Sequence, residues 1–306
     1  MATKQRKPVI LAQLPRIPST LSVYEVRAAT LEERSGAIQF FQRRLKLGKP
    51  KTVRVEESLR FVSQTGEVEF YRPSGAVWAR DYASALDFKD ERRSWESTIV
   101  QTEEGPQVVL TDAVQKRMIT SAQALFEEAK LRNEHAFFAD VVLDQVHTHS
   151  PDGKKAVFPG EATVRFLYRF QNLPVAGPGA KTYAFFHDVD RIAGAYHVWR
   201  DVIAEHKTEA TSAEAALELW LGQDQQILSN LQRGRAVEIT SVELVYYTLP
   251  PSKFQDFVFP AFRVIGFIYA GKERGSGTQF ARFCHALSPQ AYAHANLLAD
   301  TLMIRP

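Results

Sequence analysis

The sequence predicts an α+β protein of three tandem units, each with an amphipathic helix followed by an antiparallel meander of strands. Helices with apolar residues at spacings of three and four are expected near Leu31–Lys46, Thr111–Arg132 and Thr211–Gln232. Alternating strand runs are expected after them, near Val53–Tyr82, Phe137–Arg200 and Val237–His285. A helix with one apolar face must be covered, so each meander is expected to wrap the helix that precedes it.

This order divides the chain into a helix-plus-meander unit at 1–100, a central unit at 101–207 and a C-terminal unit at 208–306. The charged stretch Asp87–Glu96 is expected to be an exposed linker. Asp112 with Gln115, and Thr211 with Glu214, have the spacing of capping boxes that open the second and third helices. Gly222 is expected to weaken the third helix, by about 1 kcal/mol relative to alanine.

The composition is that of an ordinary globular protein, with 45% hydrophobic and 24% charged residues in 306. Lys and Arg number 38 against 35 acidic residues, and this balance argues against a nucleic-acid partner. The N-terminal third is locally basic, most densely at Arg43–Lys46. Because no aromatic residue is interleaved with these cations, a solvated helix end is the preferred interpretation.

The single cysteine, Cys284, excludes an intrachain disulfide. The apolar patch Pro8–Ala12 is shorter than a signal-peptide core, and no run reaches the ~18 apolar residues that cross a bilayer. We therefore expect a cytoplasmic chain with no membrane span. A chain from which a leader had been removed would instead be secreted or membrane-tethered. No cofactor is expected.

Two glycines around a proline, at Gly177, Pro178 and Gly179, are the most distinctive local feature. Exposed backbone N–H groups in such a turn bind anions, and Lys181 would assist. The spacing of a phosphate-binding loop is absent, and a strand follows instead of a helix. A tight hairpin in which the backbone approaches another segment is the preferred interpretation, with ligand binding at Gly177, Gly179 and Lys181 as the alternative.

His147 and His149 lie two apart on a predicted strand, so their side chains point to the same face. That pattern presents two imidazoles to one metal, with His187, Asp188 or Asp190 as the third ligand. The pair also lies at a strand end beside a turn, where solvated histidines are common. The solvated interpretation is preferred, and no metal is expected.

Proton transfer would need an acid and a base beside an apolar pocket. The candidates by residue type are His147, His197, Asp188 and Tyr247. Tyr246 belongs to an aromatic segment that could line such a pocket. The neighbours Cys284 and His285 point to opposite faces of a strand and cannot act as a nucleophile–base pair, so Cys284 is expected in the core.

Two segments carry a resemblance to known families. The run of residues 164–186, with Leu173–Val175 and Gly177–Lys181, followed by Trp199 and Arg200, resembles the hairpin of PepSY-like and metalloprotease-propeptide domains. The run of residues 237–251, with Tyr246 and Tyr247, followed by the strand that contains Pro260, resembles the terminal domain of YycH/YycI-type regulators. The helix-plus-meander order is itself similar to the PepSY and cystatin-like group.

The resemblance implies PepSY- or cystatin-like units with a non-catalytic, regulatory role. It implies no catalytic residue, and the membrane helix that tethers the regulators has no counterpart in this sequence. We therefore expect a soluble protein that binds a protein, a peptide or a hydrophobic small molecule through curled sheets. An isomerase, cyclase or lyase with an apolar pocket is the alternative, so the sequence leaves open whether the chain is an enzyme.

Overall fold

The computed structural model of the protein describes residues 7–82, 97–102, 105–149, 155–270 and 276–294. Its helices within these ranges are α1 (Leu31–Arg44), α2 (Asp112–Glu128), α3 (Ala213–Leu221), α4 (Gln225–Gln232) and α5 (Pro289–His294). None of the helices in these ranges is long and apolar enough to cross a lipid bilayer. The predicted linker Asp87–Glu96 lies outside the described residues, as do residues 150–153 and 271–275.

The N-terminal strands are β1 (Val9–Ile10), β2 (Thr20–Arg27), β3 (Lys51–Val55), β4 (Ser58–Val62), β5 (Gly66–Tyr71), β6 (Ala76–Asp81), β7 (Ser97–Thr102) and β8 (Gly105–Leu110). The strands that follow are β9 (Ala136–His149), β10 (Lys155–Phe170), β11 (Leu173–Ala176), β12 (Lys181–Asp188), β13 (Arg191–Val198) and β14 (Asp201–Glu209). The last strands are β15 (Val237–Tyr247), β16 (Phe257–Tyr269) and β17 (Gly277–His285).

Fifteen of these strands form one mixed sheet in the described part of the chain. Its main path runs β14-β2-β16-β15-β11-β10-β12-β13-β6-β5-β4-β3, with β1 beside β15, β17 beside β16 and β9 beside β10. Among the strands of the described ranges, only β1 and β11 pair in parallel, both with β15. Strands β7 and β8 form a separate hairpin.

Tandem helix-plus-meander units are therefore the wrong fold class, although helices and mostly antiparallel strands are both present. Strand β6 of the first segment pairs with β13 of the second, and β2 lies between β14 and β16. The predicted strand runs were assigned locally, whereas hydrogen bonding between strands joins positions far apart in sequence. The domain boundaries near residues 100 and 207 stay a prediction.

The helix starts show how local chemistry sets each boundary. Thr30 and Glu33 form a complete capping box at α1, in which each side chain bonds the backbone N–H of the other residue. The caps predicted at Asp112 and Thr211 are each displaced by one residue, to Thr111 and Ser212. The predicted third helix is interrupted at Gly222, where α3 ends before Asp224 caps α4.

Three hydrophobic clusters hold the sheet. In the first core, α1 and α2 cover one face of the strands around β5, β6, β10 and β12, with Phe41, Met118 and Phe186 almost fully buried. In the second core, α3 and α4 cover β15, β16 and β17, with Leu217 and Ile227 at the centre. Burial of these apolar side chains is the main stabilising contribution in each case.

The third core joins the other two and is rich in aromatic residues. The ring of Tyr24 stacks on Phe170 at a centroid distance of 4.2 Å, and Tyr168 stacks on Trp199 at 4.3 Å. Tyr246 meets both Tyr24 and Phe170 edge-on. Since its residues come from β2, β10, β15 and the segment after β13, this core packs distant parts of the sequence against one another.

Candidate functional site

A row of seven side chains crosses seven adjacent strands of the large sheet on one face. Each member is paired in register with the next, in the order Asp140, Arg165, Tyr183, Tyr196, Trp78, Glu69 and Arg60. Adjacent strands are about 4.8 Å apart, so the row is about 29 Å long. We call this side of the sheet the aromatic face, after the three neighbouring rings of Tyr183, Tyr196 and Trp78.

The aromatic face is the side of these strands opposite the one that α1 and α2 cover. Both α1 and α2 contact the sheet through the first core, which takes the alternate residues of the same strands, such as Val77, Ala184 and Ala195. Trp78, Tyr183 and Tyr196 are half-buried and belong to none of the three cores. Partly exposed aromatic rings in a row offer stacking area that the fold does not use for its own packing.

Near one end of the row lies a buried carboxylate that accepts three hydrogen bonds. Glu69 is buried, at 3% exposure, and accepts hydrogen bonds from Ser58 Oγ at 2.6 Å, Arg60 Nε at 2.9 Å and Tyr71 OH at 2.8 Å. With three donors already in place, this carboxylate holds its neighbours in position. A general base would need an oxygen free to take a proton from a substrate.

The other end of the row is Asp140, whose carboxylate accepts two hydrogen bonds from the guanidinium of Arg165. A further pair lies beside the row, where Arg80 binds Glu161 at 2.8 Å and its guanidinium lies 5.1 Å from the ring centroid of Phe185. These arginines are therefore neutralised by the protein itself. Paired charges with aromatic rings between them fix the geometry of the face.

The tyrosines of the face are neutral hydroxyl groups at physiological pH. Burial raises the pKa of Tyr196 to about 12, and it also raises the pKa of Tyr183. Burial and the hydrogen bond to Glu69 raise the pKa of Tyr71. Neutral phenols donate hydrogen bonds and stack, which is the chemistry of binding rather than of proton abstraction.

Lys181 is a half-buried cation of this face that no described carboxylate neutralises. It lies on the same face of β12 as Tyr183, two residues away. It is also near enough to Arg165 for the two positive charges to repel each other. Burial, followed by the repulsion from Arg165, lowers the pKa of its ammonium group. This ammonium has no carboxylate or hydrogen-bond partner within the described ranges, so it is available to an anionic group of a ligand.

The glycine turn predicted as an anion site approaches another segment of the chain closely. A Cβ on Gly177 would lie 2.3 Å from the carbonyl oxygen of Thr248, and one on Gly179 would lie 1.9 Å from that of Leu249. Gly177 has a φ of +91°, which other residues rarely adopt. The predicted close approach of the backbone is thus confirmed. The predicted hairpin is wrong, because β11 and β12 each pair with β10 and not with each other. Ligand binding at Gly177 and Gly179 stays a prediction.

The arginine beside this turn fastens the loop that follows β15. Arg200 is 3% exposed and donates hydrogen bonds to the carbonyl oxygens of Leu249, Pro250 and Lys253, at 3.5, 3.3 and 2.7 Å. Burial lowers its pKa to about 10.

The predicted Tyr246 is buried in the third core, at 1% exposure, and so presents no ring edge to solvent.

The residues predicted for proton transfer are not brought together. His197 is buried on the helix-covered face of β13, and Tyr247 lies in the second core. Asp188 accepts hydrogen bonds from backbone N–H groups in the turn before β13, six residues along β12 from the position opposite His197, or about 20 Å. His147 is exposed near the end of β9. A catalytic role for these residues stays a prediction.

The predicted metal ligands are equally dispersed. The side chain of His149 lies outside the described part of the structure, and His187 is buried at 1% exposure. Asp190 forms an ion pair with Arg117 at 2.7 Å. No group of three or more His, Cys, Asp or Glu residues with the geometry of a metal site occurs among the described residues.

Cys284 is buried as predicted, and burial raises the pKa of its thiol to about 12.

An open groove of about 670 Å³ lies elsewhere, between the start of β16 and the end of β14. Its lining includes Glu25, His206, Glu209, Phe257 and Ser288. Glu25 and His206 contact each other at 3.4 Å, and Ser288 donates to Glu209 at 3.3 Å. These polar groups are largely satisfied by one another, and the groove is wide and shallow.

The aromatic face was not predicted from the sequence. Its signal was present, since Trp78, Tyr183 and Tyr196 each lie beside residues of the buried face in an alternating strand. Aromatic residues at the outward positions of several strands indicate a second apolar face. The sequence does not show that these rings are neighbours in space, because β6 and β13 are more than 100 residues apart along the chain.

Comparisons with known proteins identify no family. No protein-family model matches the chain, and no curated protein matches it either. A crystal structure of an uncharacterized protein from Eubacterium rectale ATCC 33656 aligns with 90% of this chain and 86% of its own, at 9% sequence identity and a TM-score of 0.49. The resemblance to PepSY-like domains and YycH/YycI-type regulators therefore stays a prediction.

Proposed function

We propose that this chain is a non-catalytic binding protein that holds its ligand on the aromatic face. The ligand would be a peptide or an apolar small molecule with an anionic group. The observation that carries the proposal is the in-register row in which Tyr183, Tyr196 and Trp78 are half-buried outside every core. Preorganised rings of this kind bind apolar groups with little loss of side-chain entropy.

The charges on the face favour an anionic ligand. Arg165, Arg80 and Arg60 are each paired with a carboxylate, whereas Lys181 is half-buried beside the row and has no partner in the described chain. An anion bound beside Lys181 would stabilise the charged ammonium and so offset the effect of burial. The ligand's apolar part would then lie over Tyr183 and its neighbours.

Binding is favoured over catalysis because the polar groups of the face are committed. Glu69 already accepts hydrogen bonds from three donors of the protein, and the phenols of Tyr196 and Tyr183 have raised pKa values. A neutral phenol takes no proton near neutral pH, and the Glu69 carboxylate is engaged by its neighbours in the fold. A regulatory role would follow if ligand binding changed the partners of the chain.

The test uses anilinonaphthalene sulfonate, a fluorescent probe with an apolar body and an anionic group. We expect saturable binding to the folded protein, weakened about tenfold or more by Trp78→Ala or Tyr196→Ala and severalfold by Lys181→Gln. Phe254→Ala is the matched control, because Phe254 is 67% exposed in the loop between β15 and β16, outside the seven strands that carry the row. Urea unfolding establishes that each variant is folded.

Equal binding by all four variants would place the probe elsewhere and contradict the proposal. Mass spectrometry of small molecules that co-purify with the wild-type protein, but not with Trp78→Ala, would identify the natural ligand. Turnover of such a molecule by the wild-type protein would contradict the non-catalytic role and favour the isomerase, cyclase or lyase.

A further inference from the structure

The strand β3 is the terminal strand of the large sheet. Its main-chain partner is β4 on one side, and within the described residues no strand pairs with its other side. All five residues of β3 are exposed, including Val53 at 44% and Val55 at 39%. In an antiparallel pair, backbone groups alternate between the two sides, so β3 presents free N–H and C=O groups along its outer edge.

The segment that contains β3 carries a dense positive charge. Between residues 43 and 54 there are six cations and no acidic residue. They are Arg43 and Arg44 in the last turn of α1, Lys46 and Lys49 in the connecting loop, and Lys51 and Arg54 in β3. All six are exposed, and none forms an ion pair with a described carboxylate.

We propose that β3 accepts an extended acidic peptide segment of another protein as an additional strand of the sheet. The free backbone edge would supply main-chain hydrogen bonds, and the surrounding cations would select acidic side chains. Val53 and Val55 share one face of β3 and would pack against apolar residues at alternate positions of the peptide. This site uses a strand edge and does not depend on the ligand proposed for the aromatic face.

A nucleic-acid partner is less consistent with the same surface. Residues 43–54 contain no aromatic side chain, so bases would find no stacking platform. A free strand edge and two exposed valines offer nothing specific to a phosphate backbone, whereas both are complementary to an extended peptide.

The experiment measures fluorescence anisotropy of a labelled eight-residue peptide that alternates Glu and Val. We expect saturable binding that weakens as salt is raised, because the cations are exposed. Two further peptides keep the same charges. One is N-methylated at adjacent central residues, which blocks both of its edges, and we expect binding at least tenfold weaker. The other is N-methylated at alternate residues, which leaves one edge free, and should still bind.

Protein variants locate the site. Lys51→Glu with Arg54→Glu should weaken binding of the parent peptide by about tenfold or more. The control, Arg233→Glu with Lys253→Glu, changes the net charge equally at exposed positions far from β3 and should leave binding unchanged. Near-ultraviolet circular dichroism checks that both double variants are folded.

Three outcomes would overturn the proposal. The first is the absence of binding by the parent peptide. The second is equal binding of the three peptides, which would mean attraction between charges without strand pairing. The third is tighter binding of a single-stranded oligonucleotide that displaces the peptide, which would assign the surface to nucleic acid.

Discussion

Thr182 Oγ1 and His197 Nδ1 lie 2.9 Å apart, on directly paired positions of β12 and β13. The hydroxyl of Tyr168 lies 2.5 Å from the same threonine oxygen, so the three side chains form one buried chain of hydrogen bonds. Burial, assisted by the nearby charge of Arg34, lowers the pKa of His197 to about 3. The imidazole is therefore neutral in the folded protein.

This histidine makes the fold sensitive to acid. In the unfolded chain the imidazole takes up a proton near pH 6.5, whereas the folded state does not until about pH 3. The contribution of the neutral His197 ring to stability is therefore fully present above pH 6.5. It is lost progressively as the pH falls from 6.5 toward 3. The slope from His197 approaches about 1.4 kcal/mol per pH unit, measurable by urea unfolding between pH 8 and pH 4.

The control for the acid effect is His197→Asn, which should be less stable at pH 7 but show a smaller slope below pH 6.5. If this variant does not fold, His285→Asn provides a second comparison, since burial lowers the pKa of His285 to about 4. Direct titration of the His197 ring by nuclear magnetic resonance gives an independent measurement. A ring that titrates near pH 6.5 in the folded protein would contradict the prediction.

Gly179→Ala should destabilise the protein by about 2–4 kcal/mol. The new methyl group would lie 1.9 Å from the carbonyl oxygen of Leu249, so the backbone of the turn must move. Gly36→Ala is the opposite control, because Gly36 is exposed in α1 with no atom within 4 Å of the added methyl group. That variant should be more stable by about 0.5–1 kcal/mol. Chemical unfolding measures both, and equal effects would contradict the close approach.

Arg200→Lys should loosen the loop after β15 even though the positive charge is retained. One ammonium group cannot reach the three carbonyl oxygens that the planar guanidinium binds together. We expect a loss of about 1–3 kcal/mol and faster hydrogen exchange at the backbone amides of Leu249 and Lys253. Arg233→Lys, at an exposed helix end, should change stability by less than about 0.5 kcal/mol. Unchanged exchange at both amides would show that Arg200 does not fasten the loop.

Thr30→Ala should destabilise the protein by about 1 kcal/mol, because it removes the side-chain acceptor for the backbone N–H of Glu33 at the start of α1. Thr120→Ala is the matched control on the exposed surface of α2. There alanine should be neutral or slightly stabilising, since it is the better helix former. Thermal unfolding of the two variants tests the sign of the difference, and a cost at Thr120 as large as at Thr30 would contradict a capping role.

The helices were predicted better than the sheet. Phe41 and Ile38 face the first core as the spacing in α1 requires, and Val114, Met118 and Ala122 do the same in α2. Strand β2 precedes the first predicted helix and was not predicted as a strand, although it lies in the sheet between β14 and β16. Helical contacts are local, and a periodic sequence specifies them. A strand, by contrast, could pair with any of several segments that have a similar alternating pattern, so its own sequence does not specify its partner.

In the candidate site, too, local features were predicted from the sequence and contacts between distant strands were not. Lys181 was proposed from the sequence because it follows a glycine turn, and it does lie beside the aromatic face. Trp78 and Tyr196 were not proposed, because their proximity depends on the pairing of β6 with β13. The sequence also predicted Tyr246 as a lining residue, but packing against Tyr24 and Phe170 places it inside the third core.

The sequence by itself determined the amphipathic helices, the alternating faces of the strands, the buried state of Cys284 and the need for glycine in a turn that approaches another segment. These follow from side-chain periodicity and backbone sterics, which act over a few residues. Only the tertiary structure decided that fifteen strands share one sheet and that seven of them align a row of side chains. Strand register is set by the cooperative packing of whole faces, and no single segment encodes it.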